Sequence, residues 1–267
     1  MDKAKKSEWI IKKEKKRKKQ FEDTFWLYGL HAVKDALMNI NRTKKELILT
    51  PNAHDKLSKF LDLASFDPTV IEPRKFLPPI DKNSVHQGVA LQVNPLNWGS
   101  PSEICTPNKE NSLLILLDRV TDPQNVGAIL RSAEVFQAKA VIAPYRHSAP
   151  ETGALAKSAS GSLERQAYLR VPNLARAMLN LKEMGYYIIG LDSQGDQTIN
   201  EVLLTISPTP VAIVAGAEGA GLRELTKKTC NTLAKIHDHS QFSSLNVSNA
   251  TAIALFSTRQ KLNFWSK

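Results

Sequence analysis

The sequence predicts an α/β protein in two folded parts. A small N-terminal α/β domain precedes a larger C-terminal one, a mostly parallel sheet with helices on both faces. Three observations carry this. Beyond residue 112, apolar runs of strand length alternate with stretches of helical periodicity, the pattern of parallel strands joined by crossover helices. Residues 94–111 (NPLNWGSPSEICTPNKEN) are dense in Pro, Asn, Ser and Gly and read as a connector. Residues 25–95 hold a shorter alternation of their own. The boundaries fall at 1–24 for a basic tail, 25–96 for the small domain, 97–111 for the linker and 112–267 for the large domain.

In chain order, the tail comes first. Residues 1–20 hold ten Lys and Arg against three acidic residues, so most of the net charge of +10 sits there. A like-charged block of this kind is expected to be disordered. It suits nucleic acid through counterion release, or serves only as a solubilising arm. Asp2 and Glu8 argue against an organelle transit peptide. Next, 25–30 (FWLYGL) leads into a helical pattern through about Met38. Short strands are expected at 47–50, 70–71 and 89–93, with a helix over 55–63. In the large domain, strands are expected at 113–117, 140–143, 167–171, 186–191 and 211–216. A helix over 174–184 stops at Gly185.

Composition excludes several classes. No stretch approaches the ~20 apolar residues that span a bilayer, and no apolar signal core follows Met1. The two cysteines, Cys105 and Cys230, lack CxxC or His-rich company. A reduced, cytoplasmic setting with no membrane partner and no metal is the expectation.

Three stretches at strand ends carry chemistry. In 113–136 (LLILLDRVTDPQNVGAILRSAEVF) an apolar run ends in charge and turn residues, and Asp122-Pro123 forces a loop. Val126, Ile129, Leu130, Ala133 and Phe136 then form one helical face. Ligands in open α/β sheets bind outside such strand ends. Asn125 stands at the mouth of this helix and Arg131 lies off its apolar stripe. The plainer alternative makes Asn125 a cap and Arg131 a solvated surface residue. In 211–222 (VAIVAGAEGAGL) three glycines surround Glu218. The spacing is not the dinucleotide fingerprint and no phosphate-loop lysine follows, so a nicotinamide dehydrogenase fails. A carboxylate inside the loop suits a ligand with a positive centre or hydroxyl donors, or else caps a helix. In 243–254 (SSLNVSNATAIA), Ser244, Asn246, Ser248 and Asn249 crowd the start of an apolar segment, more polar groups than a cap needs.

Together these stretches resemble the SPOUT superfamily, and within it the TrmH-type RNA ribose 2′-O-methyltransferases. LDRVTDPQNVGAILRSAEVF is similar to the family's first motif, AGAEGAGL to its second and SLNVS to the core of its third. YGLHAV at 28–33 and HQGVALQV at 86–93 resemble the small RNA-binding domain of the branch that methylates guanosine in large-subunit (23S) rRNA, a domain that the tRNA-modifying branch typically lacks. The resemblance implies an S-adenosylmethionine cofactor, a trefoil knot near the C-terminal end and a homodimer. It assigns Gly216, Ile236 and Leu245 to the cofactor, and Asn125, Arg131, Glu218, Ser244 and Asn246 to catalysis.

The implied reaction fits these residue types. A ribose 2′-hydroxyl loses its proton as it attacks a sulfonium methyl in line, so positioning weighs heavily. Arg131 is the base that the resemblance implies, although a guanidinium stays protonated at neutral pH. Either an RNA phosphate orients it or it anchors that phosphate. Asn125 and Asn246 can hold the ribose or Arg131, Glu218 can orient the arginine, and Ser244 can bond substrate or cofactor. One departure stands out. The family has Pro-Met after the isoleucine of its third motif, whereas Ile236 here precedes His237-Asp238-His239-Ser240. A non-catalytic RNA-binding assembly factor is therefore the competing expectation, with a tRNA methyltransferase as the third.

Overall fold

The computed structural model describes residues 24–81, 84–107, 112–206, 209–236 and 245–265. The expected basic tail, but for Thr24, lies outside them. The chain divides into two compact units, Met1–Asn97 and Trp98–Lys267.

The first unit holds β1 (Phe25–Tyr28), α1 (Leu30–Met38), β2 (Lys44–Leu49), α2 (Pro51–Ser58), β3 (Thr69–Val70) and β4 (Val89–Val93). Its sheet runs in the order β1-β4-β2-β3, with β4 antiparallel to both neighbours. Residues 25–28 form a strand rather than the lead-in to a helix, because Gly29 at φ 89° breaks the chain before α1 begins. The helix expected over 55–63 starts earlier and ends at Ser58. Pro51 sits in its first turn, where no N–H is needed, and the Thr50 hydroxyl caps it by accepting from Ala53 N at 3.4 Å. Asp62 then caps a separate 3-10 turn, Leu63–Phe66.

The second unit opens with a one-turn helix, α3 (Pro101–Ile104), closed by a Ser100–Glu103 capping box. It continues with β5 (Leu113–Asp118), α4 (Pro123–Val135), β6 (Ala140–Pro144), α5 (Gly153–Ala159), β7 (Tyr168–Val171), α6 (Leu174–Glu183) and β8 (Tyr187–Leu191). There follow β9 (Gln197–Thr198), α7 (Ile199–Thr205), β10 (Val211–Gly216), α8 (Glu224–Thr229), β11 (Thr232–Lys235) and α9 (Val247–Trp265). The sheet order is β7-β6-β5-β10-β8-β11-β9, and every pairing is parallel. All six residues of β5 are buried, as expected of a strand covered on both faces. On one face Leu114, Leu116, Ala212 and Val214 pack with Leu174, Met178 and Leu181 of α6. On the other, α9 lies against β10 and α4. The α/β class with helices on both faces is thus present.

This order fixes where a site can form. From β5 the chain adds β6 and then β7 on one side, then crosses to build β8 on the other, and β10 fills the gap. The carboxyl ends of β5 and β10 therefore flank the switch point, where ligands of open α/β sheets bind. The trefoil knot implied by the resemblance turns on the path from β11 to α9, and residues 237–244 on that path lie outside the described residues.

Candidate active site

Three polar side chains converge at the switch point. Asn125 is buried in the first turn of α4. It is not the cap: Asp122 fills that role, accepting from Gln124 N at 2.9 Å. With Asp122 capping and Pro123 leading, the Asn125 amide is free to reach across the loop. It donates to Glu218 Oε1 at 3.1 Å. Asn246 donates to the same oxygen at 2.6 Å and to Asn125 Oδ1 at 2.8 Å. A carboxylate only accepts, so both amides must turn their NH₂ groups toward Glu218. The bonding pattern therefore fixes their orientation.

Local sequence explains each presentation. Beyond β10 the chain folds back on itself through Ala217 N to Gly221 O (3.1 Å) and Gly221 N to Ala217 O (2.9 Å). A Cβ on Gly216 would sit 2.4 Å from the Gly221 carbonyl carbon, so only glycine lets the fold-back close. This leaves Glu218 exposed at the bend, rather than capping the next helix, which starts at Glu224. Asn246 does the capping in its own stretch. Its Oδ1 accepts from Ser248 N (2.9 Å) and Asn249 N (3.4 Å) at the start of α9, while its amide serves the site. The crowd of polar residues is thus divided between capping and crossing.

The remaining predicted residues are placed as follows. Arg131, six residues beyond Asn125 on α4, is exposed and has no hydrogen bond or ion pair with a described residue. Glu218 does not orient it, and neither asparagine holds it; those bonds run among the three themselves. Gly216 is the last residue of β10 and Ile236 follows the end of β11, parallel strands that flank β8. Leu245 is 51% exposed and adjoins Asn246. Ser244 and the atypical 237–240 segment lie outside the described residues. A cavity of about 440 Å³ between Gln194–Gln197 and Cys230–Leu233 contains none of the predicted residues.

Sequence reading missed the anchor of the Glu218 loop. Asp118, fully buried at the end of β5, accepts from Arg223 N at 3.0 Å and from Arg223 Nε at 2.7 Å. The available signal was a carboxylate ending an apolar run, which demands a partner when buried. Among the described residues no group of three or more His, Cys, Asp or Glu is placed to hold a metal, and no helix is long and apolar enough to cross a membrane. Burial pushes the Cys105 and Cys230 thiols up to about 12, so neither is a ready nucleophile.

Fold and site define an α/β protein with a polar trio at the switch point of a parallel sheet. Residues 112–256 match the model of the SpoU rRNA Methylase family, and residues 26–99 match that described as RNA 2'-O ribose methyltransferase substrate binding. The chain belongs to the SpoU rRNA methylase family. A 23S rRNA (guanosine-2'-O-)-methyltransferase RlmB from Photobacterium profundum is 39% identical over 86% of this chain and 95% of its own length. The RlmB of Vibrio vulnificus is 38% identical over 89% and 97%. An AdoMet-bound rRNA methyltransferase from Sinorhizobium meliloti shares the fold with a TM-score of 0.73, at 24% identity, over 93% of this chain and 91% of that one.

Proposed function

We propose that this chain is an S-adenosylmethionine-dependent RNA 2′-O-ribose methyltransferase acting on a guanosine of 23S rRNA. The carrying observation is the bonded trio Asn125–Glu218–Asn246 at the switch point of a SpoU-family chain. The names of the relatives support the substrate, and the match over 26–99 supports an RNA-binding role for the first unit.

S-adenosylmethionine supplies an electrophilic sulfonium methyl. Gly216, Ile236 and Leu245 are assigned to hold it. Side-chain-free Gly219 and Gly221 support room there, since a Cβ on either meets nothing within 4 Å. Glu218 Oε2 bonds no described residue, so it can take a hydrogen bond from the ribose hydroxyl while Oε1 is held by the two asparagines. Arg131, exposed and unpaired among the described residues, is assigned to engage an RNA phosphate beside the hydroxyl that loses its proton. Ser244 is assigned a bond to substrate or cofactor. The protein works as a homodimer in this reading. Support comes from exposed Val135, Ile253 and Phe256 on neighbouring α4 and α9, with Phe256 edge-on to Phe136, a run of apolar surface that suits association. A cytoplasmic setting follows from the rRNA substrate.

The test is methyl transfer from labelled cofactor to 23S rRNA fragments, with the modified ribose mapped. No transfer, with Arg131→Ala matching wild type, would reject the proposal. The departure at 237–240 favours a second reading, an RNA-binding assembly factor without catalysis. Calorimetry with S-adenosylmethionine separates the two: micromolar-range binding counts against the assembly factor.

A further inference from the structure

The trio carries a formal negative charge and no cation, yet an RNA strand must lie across it. The neighbouring loops bear on this. Because β6, β5 and β10 are adjacent and parallel, the loops leaving their carboxyl ends lie side by side. The third carries Glu218. The second begins with Arg119, and the first carries Arg146 and His147. Arg119 (φ 64°) and His147 (φ 58°) occupy the left-handed region, which a residue with a Cβ adopts only under constraint.

The constraint is visible in the first loop. The Arg170 guanidinium donates to Pro144 O from Nε (3.2 Å) and Nη2 (2.9 Å), to Tyr145 O from Nη2 (2.9 Å) and to Ala149 O from Nη1 (2.8 Å). The Tyr168 hydroxyl adds a bond to Ala149 O at 2.7 Å, and Ser148 Oγ donates to Pro144 O. Ala149 N donates to Val120 O at 3.3 Å, tying this loop to the next. Around this rigid frame, Arg119, Arg146 and His147 are exposed, and none bonds a described residue. The backbone is heavily fixed while the charges it carries are left open.

We propose that Arg146, presented by the Arg170-clamped loop, and Arg119, on the loop tied to it through Ala149 N and Val120 O, bind the RNA backbone phosphates beside the ribose that is methylated. This rests on the methyltransferase reading and names the surface by which that site takes its strand. Guanidinium groups suit the role because their paired N–H donors match phosphate oxygens. Left-handed strain at Arg119 marks a residue kept for its side chain rather than for its backbone.

The experiment uses full-length protein and a labelled 23S rRNA fragment, titrated over a salt series, with steady-state kinetics and thermal melts alongside. The variants are Arg119→Gly, Arg146→Gln and the pair, with exposed Lys228→Gln on α8 as the control. The pair is expected to bind about tenfold more weakly at low salt, and its log–log salt slope to shrink by about 0.7 per lost contact. The loss should fall on KM for the RNA far more than on kcat. Arg119→Gly should melt no lower than wild type, since glycine accepts the left-handed backbone. Wild-type affinity and salt slope in the pair overturn the proposal, as does an equal loss in Lys228→Gln. A wild-type protein that binds the fragment without methylating it rejects the reaction, yet its isotherms still decide whether Arg119 and Arg146 hold the strand. Normal methylation with unchanged binding in the Arg119 and Arg146 variants rejects the phosphate contacts alone.

Discussion

Asp118 closes β5, and Glu218 lies two residues beyond β10, the strand beside it. The first carboxylate is fully buried and committed: one oxygen takes the Arg223 backbone N–H, the other its Nε. The second is exposed, holds two asparagine amides on a single oxygen, and leaves its other oxygen open. Arg223 stands at the far end of the loop that carries Glu218. One acid therefore fastens the loop and the other is displayed by it. Burial and partner alone thus divide two carboxylates on adjacent strands into one that is committed and one that is left open.

Four measurements break or sharpen that division. The largest effect is expected outside both acids, at Arg131. Arg131→Ala should lower single-turnover methyl transfer by about 10³-fold, with stability within about 0.5 kcal/mol of wild type because the residue is exposed and bonds nothing described. A matched fall in melting temperature would instead make Arg131 structural. Glu218→Gln keeps an accepting oxygen for the two asparagines but loses the charge. Transfer should drop about a hundredfold while the urea midpoint barely moves; near-normal turnover would strip Glu218 of its role. Asp118→Asn should do the reverse. The buried amide keeps an acceptor but turns an NH₂ toward the Arg223 donors, and weakening these bonds costs about 2 kcal/mol, read by urea titration, while turnover per folded molecule should fall far less than in Glu218→Gln.

The smallest effect concerns a third acid. Burial pushes the Asp192 carboxyl up, but the Lys227 ammonium bonded at 2.6 Å and the Gln194 N–H at 2.9 Å outweigh it and hold the group below its ordinary value. A lowered folded-state pKa contributes stability above the unfolded value of about 4. That contribution is lost as pH falls through the folded value. Lys227→Gln should flatten this acid limb slightly in pH-dependent melts, and an unchanged limb would remove Asp192 from the account.

The three stretches that carry the site were legible because each pairs an apolar run with an abrupt polar turn. Residues 113–136, 211–222 and the start of α9 follow that grammar, and β10 was expected at its observed limits. What pairs with what was not legible. Asn125 meets Glu218 across 93 residues and Asn246 across 121, and periodicity says nothing about such distances. The Asp118–Arg223 anchor escaped for the same reason, since 105 residues separate its partners. Short elements were lost to weak signals. Four-residue β1 exposes too few residues to show alternation, and α2 was misplaced because Thr50 and Pro51, rather than its apolar spacing, set its start. The basic character of the β6 loop passed unremarked because Arg146 and His147 belong to no motif.

Asn246 both caps α9 and supplies one member of the trio. Synthesis runs from the N-terminal end, so Asn246 is made after both of its partners, 121 residues beyond Asn125 and 28 beyond Glu218. A nascent chain that already holds Asn125 and Glu218 still cannot close the constellation. The constellation closes only when α9 docks, so its geometry is conditional on the packing of the helix that carries its third member.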